Sequence, residues 1–246
     1  MKYKFIFDKN FEENIFFNLT SEEFGVVLAT IVGKHNALFF GYKPERLINA
    51  IRKLSDRQRG CIIADESSLV CHDISYFNKH FVDPIGEGTI IVPEINNKSN
   101  LFYDTLRLAS YNDNRKCNIV VYDTDKPRMS NDYFKEFIEN FDIVYECKNI
   151  IPSGLSVKDA RSKLKSTLEY RSGLASGKHY SGMFTSIDTY WNSVQCYKMF
   201  LELCEIDKVQ ATKFMKFARS ISDIRQNNLT TVSDLDSAMS LYYKAV

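Results

Sequence analysis

The chain has 246 residues, 44% of them hydrophobic and 26% charged, with a formal net charge of +1. That is enough apolar material for one large domain or two smaller ones, and the near-neutral balance gives no ground for a generally basic, nucleic-acid-coating protein. No apolar run nears the roughly 18–20 residues of a membrane helix, and "MKYKFIFDKNFEEN" at the start lacks a signal-peptide cleavage pattern. The six cysteines, Cys61, Cys71, Cys117, Cys147, Cys196 and Cys204, form no CxxC pair. Reduced thiols in a cytoplasm suit that scatter better than a disulfide frame.

In chain order, "SEEFGVVLATIV" has helical spacing and a polar start at Ser21 with Glu22 and Glu23, a pattern suited to a capped N-terminus. "ALFFG" reads as a buried strand, and "PERLINAIRKL" as the helix that follows it. "GCIIAD", "GTIIVPE", "CNIVVYD" and "FDIVYEC" are further strands, with helical patterns at "NLFYDTLRLAS" and at "NDYFKEFIENF", the latter opened by Asn131 or Asp132. Continuous apolar runs alternating with helices predict a parallel sheet covered on both faces. After Pro152 only helical patterns follow: "SVKDARSKLKSTLEYR", "DTYWNSVQCYKMFLELC", "DKVQATKFMKFARSISDIR" and "TVSDLDSAMSLYYKA". The expected organisation is an α/β core over 1–150 and an all-helical part over 151–246.

Strand, glycine turn and helix is the setting of a phosphate-binding loop. Here Gly41 opens the turn, but no second glycine and no Gly-Lys-Ser/Thr follow it. Four local sequences nevertheless resemble AAA+ ATPase modules of the magnesium-chelatase/ComM type. "GKHNALFFG" resembles the family's "GGHNLLLIG", and "GTIIVPEINNKSNLFYDTLR" resembles "GVLFLDE" and its following helix. "FIENFDIVYE" resembles "LLDRFDLHVE". "FMKFARSISDIRQNNLTTVSDLDSAMS" resembles "ILRVARTIADLxxxxxIxxxHLxEALS". The blocks keep the family's order and span most of residues 20 to 243.

The resemblance implies a P-loop-type parallel sheet followed by a helical lid, and it also locates a nucleotide site whose chemistry has been replaced. The family's phosphate loop holds phosphates on backbone N–H groups, with a lysine on the β/γ-phosphates and a hydroxyl on Mg²⁺. Its Lys-Thr pair falls on Leu47 and Ile48; Pro44 removes a donor and Glu45 adds a negative charge. The Mg²⁺-binding Asp falls on Pro93, while the catalytic Glu position retains Glu94. The arginine finger falls on Asn140, the lid arginine on Val209, and the polar sensor near Thr124 or Asp125.

Outside those blocks, "GLASGKHYSG" (Gly173 to Gly182) has the wrong glycine spacing for a phosphate loop and follows a helix, so it reads as a lid loop. Cys71, His72, Asp73 and His80 could be metal ligands, but their spacing fits no standard zinc site and a solvated turn is favoured. Glu94, Asp123 and Asp125 should gather at the carboxyl edge of the sheet, where a metal could sit, though loop residues left from the old site are the plainer reading. Arg171, Lys178 and His179 could touch nucleic acid. Tyr190, Trp191, Tyr197 and Phe200 have helix-like spacing that suits core packing, with a partner-binding face as the alternative.

The sequence thus points to a catalytically inactive AAA+-like scaffold or regulatory protein acting through protein–protein contacts, with no cofactor and no metal site expected. Its partner would be a protein, for instance an intact AAA+ subunit; nucleic acid has no support from charge, and no membrane is expected. The alternative is an ATPase subunit that binds ATP and Mg²⁺ and acts on DNA or a protein client in a hetero-oligomer.

Overall fold

The computed structural model describes residues 16–55, 61–63, 75, 79–80, 83, 88–93, 95–96, 102–104, 106, 117–126, 136–151, 154–176 and 192–243. Five parallel strands make the central sheet: β2 (Ala37–Gly41), β3 (Cys61–Ile63), β4 (Thr89–Pro93), β5 (Asn118–Asp123) and β6 (Ile143–Cys147), in the spatial order β3-β4-β5-β2-β6. Ala37 lies opposite both Val120 and Ile143, which fixes the register of β5, β2 and the edge strand β6. Ala37, Leu38, Phe39 and Phe40 are all buried, the signature of a strand covered on both faces. The parallel sheet expected from the apolar runs is therefore present, with "ALFFG", "TIIVP" and "NIVVYD" side by side.

Helix α1 (Ser21–Gly33) precedes β2, and α2 (Glu45–Ser55) follows it. The cap of α1 is Thr20 rather than Ser21. Its side chain accepts the Glu23 N–H at 3.1 Å, while the Glu23 carboxylate accepts the Thr20 N–H at 2.8 Å, closing a capping box. The helix ends at Lys34 in the left-handed conformation (φ 52), whose N–H returns to Thr30 O.

Among the described residues beyond 150, helices dominate, with one short strand that the sequence pattern did not announce. β7 (Leu155–Ser156) pairs antiparallel with β1 (Phe16–Phe17), and two residues are too few to carry a readable alternation. Then come α3 (Val157–Ser176), α4 (Val194–Ile224) and α5 (Val232–Tyr243). α4 is broken at Asp207 (φ −151, ψ 98). There the Asp207 carboxylate accepts the Gln210 N–H at 2.9 Å and caps a new start, so the two helical patterns read across this region are two helices joined at a kink. The first begins at Val194, capped by Ser193, later than "DTYWNSVQCYKMF" suggested. No described helix is long and apolar enough to cross a membrane.

α4 packs along α1 and against α5, α5 reaches β6, and α3 touches α1 and α2. Apolar side chains of the sheet, α1, α4 and α5 run together into one buried cluster. The seam is closed at Gly33: a Cβ there would stand 2.2 Å from His35 Nε2 and 2.4 Å from Ser220 Oγ. Gly33→Ala is accordingly expected to cost about 1–3 kcal/mol by overpacking, and to break the hydrogen bond between those side chains. Urea titration of the variant checks this, and an unchanged midpoint would show that the seam yields freely.

Candidate functional site

The chain leaves β2 toward β3 at one edge of the sheet, and leaves β5 toward β6 at the other. Connections thus depart in opposite directions from two adjacent strands, and in open parallel sheets ligands bind beyond the carboxyl ends at such a point. Here that point is lined by the end of β2 at Gly41, the end of β5 at Asp123 and the end of β6 at Cys147.

Gly41 has φ 98, and a Cβ on it would stand 2.7 Å from Cys147 O. Glycine is needed for both reasons. The connection to α2 is Tyr42, Lys43 and Pro44, shorter than a phosphate loop requires. Four of the N–H groups around it are already committed: Tyr42 N–H to Cys147 O, Arg46 N–H to Lys43 O, and the Leu47 and Ile48 N–H groups both to Pro44 O. A phosphate nest needs those first-turn N–H groups unbonded and converging.

What converges instead is oxygen. The Arg46 guanidinium lies folded back over the loop, its Nε donating to Lys43 O at 3.1 Å and its terminal nitrogens to Asn18 O at 3.4 Å and to Tyr42 O and Lys148 O at 3.2 Å each. The same nitrogens reach both carboxylate oxygens of Glu23, at 2.7 and 3.4 Å. The two side chains are only 9% and 1% exposed. The turn is thus a cage of carbonyls and one carboxylate around an internal cation, the reverse polarity of a phosphate loop.

The remaining positions carried over from the resemblance are dispersed. Leu47 and Ile48 are core residues of α2. Pro93 ends β4 opposite Tyr122, and Glu94 lies outside the described residues. Asp123 is buried, its carboxylate accepting the Asn96 N–H at 2.8 Å and the Asp125 N–H at 3.1 Å. It pins its own loop, while Thr124 and Asp125 stand exposed. Asn140 donates its side-chain amide to Glu136 O and Phe137 O at 2.8 and 3.0 Å, capping the turn that precedes it. Val209 is 64% exposed, just past the break in α4.

Other sequence candidates resolve similarly. Cys71, His72 and Asp73 lie outside the described residues, as do Lys178, His179, Tyr190 and Trp191; among the described residues no three His, Cys, Asp or Glu side chains group as metal ligands. Gly173 belongs to the last turns of α3, so the stretch read as a lid loop begins inside a helix. Arg171 is not a free surface cation. It donates to Val32 O at 2.9 Å and stands 3.4 Å from Asp223. Phe200 is buried and Tyr197 packs beside it with ring centroids 6.0 Å apart. Burial pushes the Cys147 thiol up to about 12 and the Cys196 thiol up to about 11, so neither is a thiolate nucleophile at neutral pH.

Polar residues that the sequence did not single out for chemistry form a second centre at the amino edge of the sheet. His35 Nε2 is 2.8 Å from Ser220 Oγ, and its Nδ1 is 3.6 Å from the Asp142 carboxylate. That carboxylate also accepts the Asn36 N–H at 3.0 Å, and the Asn36 side-chain oxygen accepts the Ile119 N–H. Serine, histidine and aspartate in this order have the layout of a hydrolase triad. Yet Ser220 is 2% and His35 1% exposed, and Gly33 packs over both. No substrate carbonyl can reach the hydroxyl, so the cluster is a fastener between α4 and the sheet. Burial by itself raises the Asp142 carboxyl, but His35, Lys216 and Lys213 outweigh that and hold it below the ordinary 3.8. Its contribution to stability is therefore present above about pH 4 and is lost as pH falls through the lowered value.

Next to it, Arg219 on α4 is fully buried and donates to Asp223 at 2.6 and 3.0 Å and to the carbonyls of Asn227 and Asn228 at 2.8 and 3.1 Å. With Arg171, two guanidinium groups share the one Asp223 carboxylate. No protein-family model and no curated protein matches this chain.

Proposed function

We propose that this chain is a non-catalytic AAA+-like module of the magnesium-chelatase/ComM type, a cytoplasmic scaffold or regulatory subunit that works through contacts with another protein and neither binds nor hydrolyses ATP. The observation that carries it is the Glu23–Arg46 pair at the β2–α2 turn, with the Arg46, Leu47 and Ile48 N–H groups of α2 already bonded to Lys43 O and Pro44 O. A triphosphate entering there would meet carbonyl oxygens and a carboxylate instead of donors. Leu47, Ile48, Pro93, Asn140 and Val209 supply none of the lysine, hydroxyl, carboxylate or arginine contacts that phosphoryl transfer uses.

Support for the family comes from where its blocks meet. His35 and Asn36 belong to "GKHN", Asp142 to "NFD", and Ser220 to "FARSISD", and the four residues form one buried cluster. Residues that carry a resemblance and also touch across more than a hundred positions are a packing unit, which is how a fold is kept after its site has gone. Among the described residues, the thiols of Cys147, Cys196 and Cys204 are in no disulfide, which suits a reducing compartment.

Thermal melting with millimolar ATP·Mg²⁺ tests the proposal. A nucleotide present at a hundred times its Kd would add about 2.7 kcal/mol, a rise of several degrees for a chain of this size. No shift is expected. A saturable shift that vanishes when Glu45 or Arg46 is replaced would overturn the proposal and favour the working subunit of a hetero-oligomeric ATPase.

A further inference from the structure

α1, α4 and α5 enclose an open cleft of about 340 Å³, within the range of small-ligand sites. Its floor is apolar, made by Val26, Phe217, Ile221 and Leu241. Gly25, in the body of α1, lies on its wall, and a Cβ built there meets nothing within 4 Å. Glycine is the poorest helix former after proline, and neither close packing nor a positive φ calls for it at this position. What its bare backbone does is keep the cleft open, because any longer side chain would project into that space.

The rim is rich in donors. Arg225 is 47% exposed and spends one terminal nitrogen on Asp234 at 2.5 Å, which leaves most of its five donors for a ligand. The hydroxyls of Ser21 and Ser240 stand on the opposing helices of the same cleft. Arg225 already holds Asp234, and the one carboxylate among the described lining residues is Glu22, which accepts a hydrogen bond from the Tyr145 hydroxyl at 3.1 Å. An apolar floor below a guanidinium and hydroxyls selects a molecule with an apolar body and one anionic, acceptor-bearing head.

We propose that this cleft is a binding site for a small amphipathic carboxylate, with the body on Phe217 and Ile221, the head on Arg225, and the entrance kept by Gly25. The site is separate from the β2–α2 turn, so its fate and that of the inactive-nucleotide-site reading are independent.

The test is titration of the full chain with octanoate by calorimetry, with octan-1-ol as the control for the head and acetate as the control for the body. Octanoate is expected to bind saturably, octan-1-ol about tenfold more weakly through loss of the charge-assisted contact, and acetate not at all. Gly25→Leu should abolish octanoate binding without lowering the melting temperature. Arg225→Gln should bring octanoate down to the level of octan-1-ol and leave octan-1-ol unchanged. Ser240→Phe, at an exposed position of α5, blocks the cleft from the other wall should the change in α1 impair folding. Absence of saturable octanoate binding, equal binding of acid and alcohol, or full binding in both blocked variants would overturn the proposal.

Discussion

Replacing Asp223 by alanine is expected to lower the stability of the chain by about 3–5 kcal/mol, the cost of stranding a buried charge. The carboxylate is fully buried and holds Arg219 at 2.6 Å and Arg171 at 3.4 Å, side chains that are themselves 2% and 12% exposed. Removing it leaves two buried cations near each other. Arg219 retains the Asn227 and Asn228 carbonyls, which solvate it but do not neutralise it. Asp223→Asn, which keeps one acceptor of the same shape, is expected to fall between the wild type and the alanine variant. Urea denaturation of the three proteins decides the matter, and a loss below about 1 kcal/mol for the alanine variant would mean that water reaches the pair, because exposed ion pairs are worth no more than that.

The large effect expected there was invisible in the pattern that revealed the fold. Strands such as "ALFFG" and "NIVVYD" are legible because their apolar runs are longer than any competing pattern, and burial on both faces of a parallel sheet leaves no polar position to confuse them. "FARSISDI" reads first as an apolar stripe. Whether its arginine and aspartate are solvated or buried depends on Arg171 and on the carbonyls of Asn227 and Asn228, which come from other segments. The capping box was half legible: Glu23 three residues after a hydroxyl is a helix-start signal, but Ser21 competes with Thr20 for it, and only the backbone of Thr20 decides. That Leu47 and Ile48 carry neither amine nor hydroxyl could be read directly. The cage of oxygens around Arg46 could not, since Arg46 meets Glu23 across 23 positions and Lys148 O across 102. β7 was missed because two residues carry no period.

The second large effect is expected at that cage. Arg46→Ala should cost about 3–5 kcal/mol, because the buried Glu23 carboxylate loses its counter-charge. Its remaining partner among the bonds described above is the Thr20 N–H. Four carbonyls, of Asn18, Tyr42, Lys43 and Lys148, lose a donor at the same time. Arg46→Lys keeps the charge but brings one compact ammonium with three donors in place of a fork with five. It cannot reach six oxygens on several sides and should cost about 1–2 kcal/mol, roughly that of lost hydrogen bonds alone. Once Arg46 is alanine, Glu23→Ala should add little, so the double-mutant cycle is expected to return a coupling of at least about 1 kcal/mol. The same variants separate two reasons why the proposed module would not bind ATP. If the guanidinium merely blocked an otherwise competent loop, Arg46→Ala would gain an ATP·Mg²⁺-dependent rise in melting temperature. No rise is expected, because vacating the cage exposes carbonyl oxygens and Glu23, which repel phosphate, while Leu47 and Ile48 stay in the core with neither amine nor hydroxyl to offer. Wild-type stability in Arg46→Ala would show that the pair is ornamental, and a gain of nucleotide binding would show that Arg46 is an inhibitor rather than a replacement.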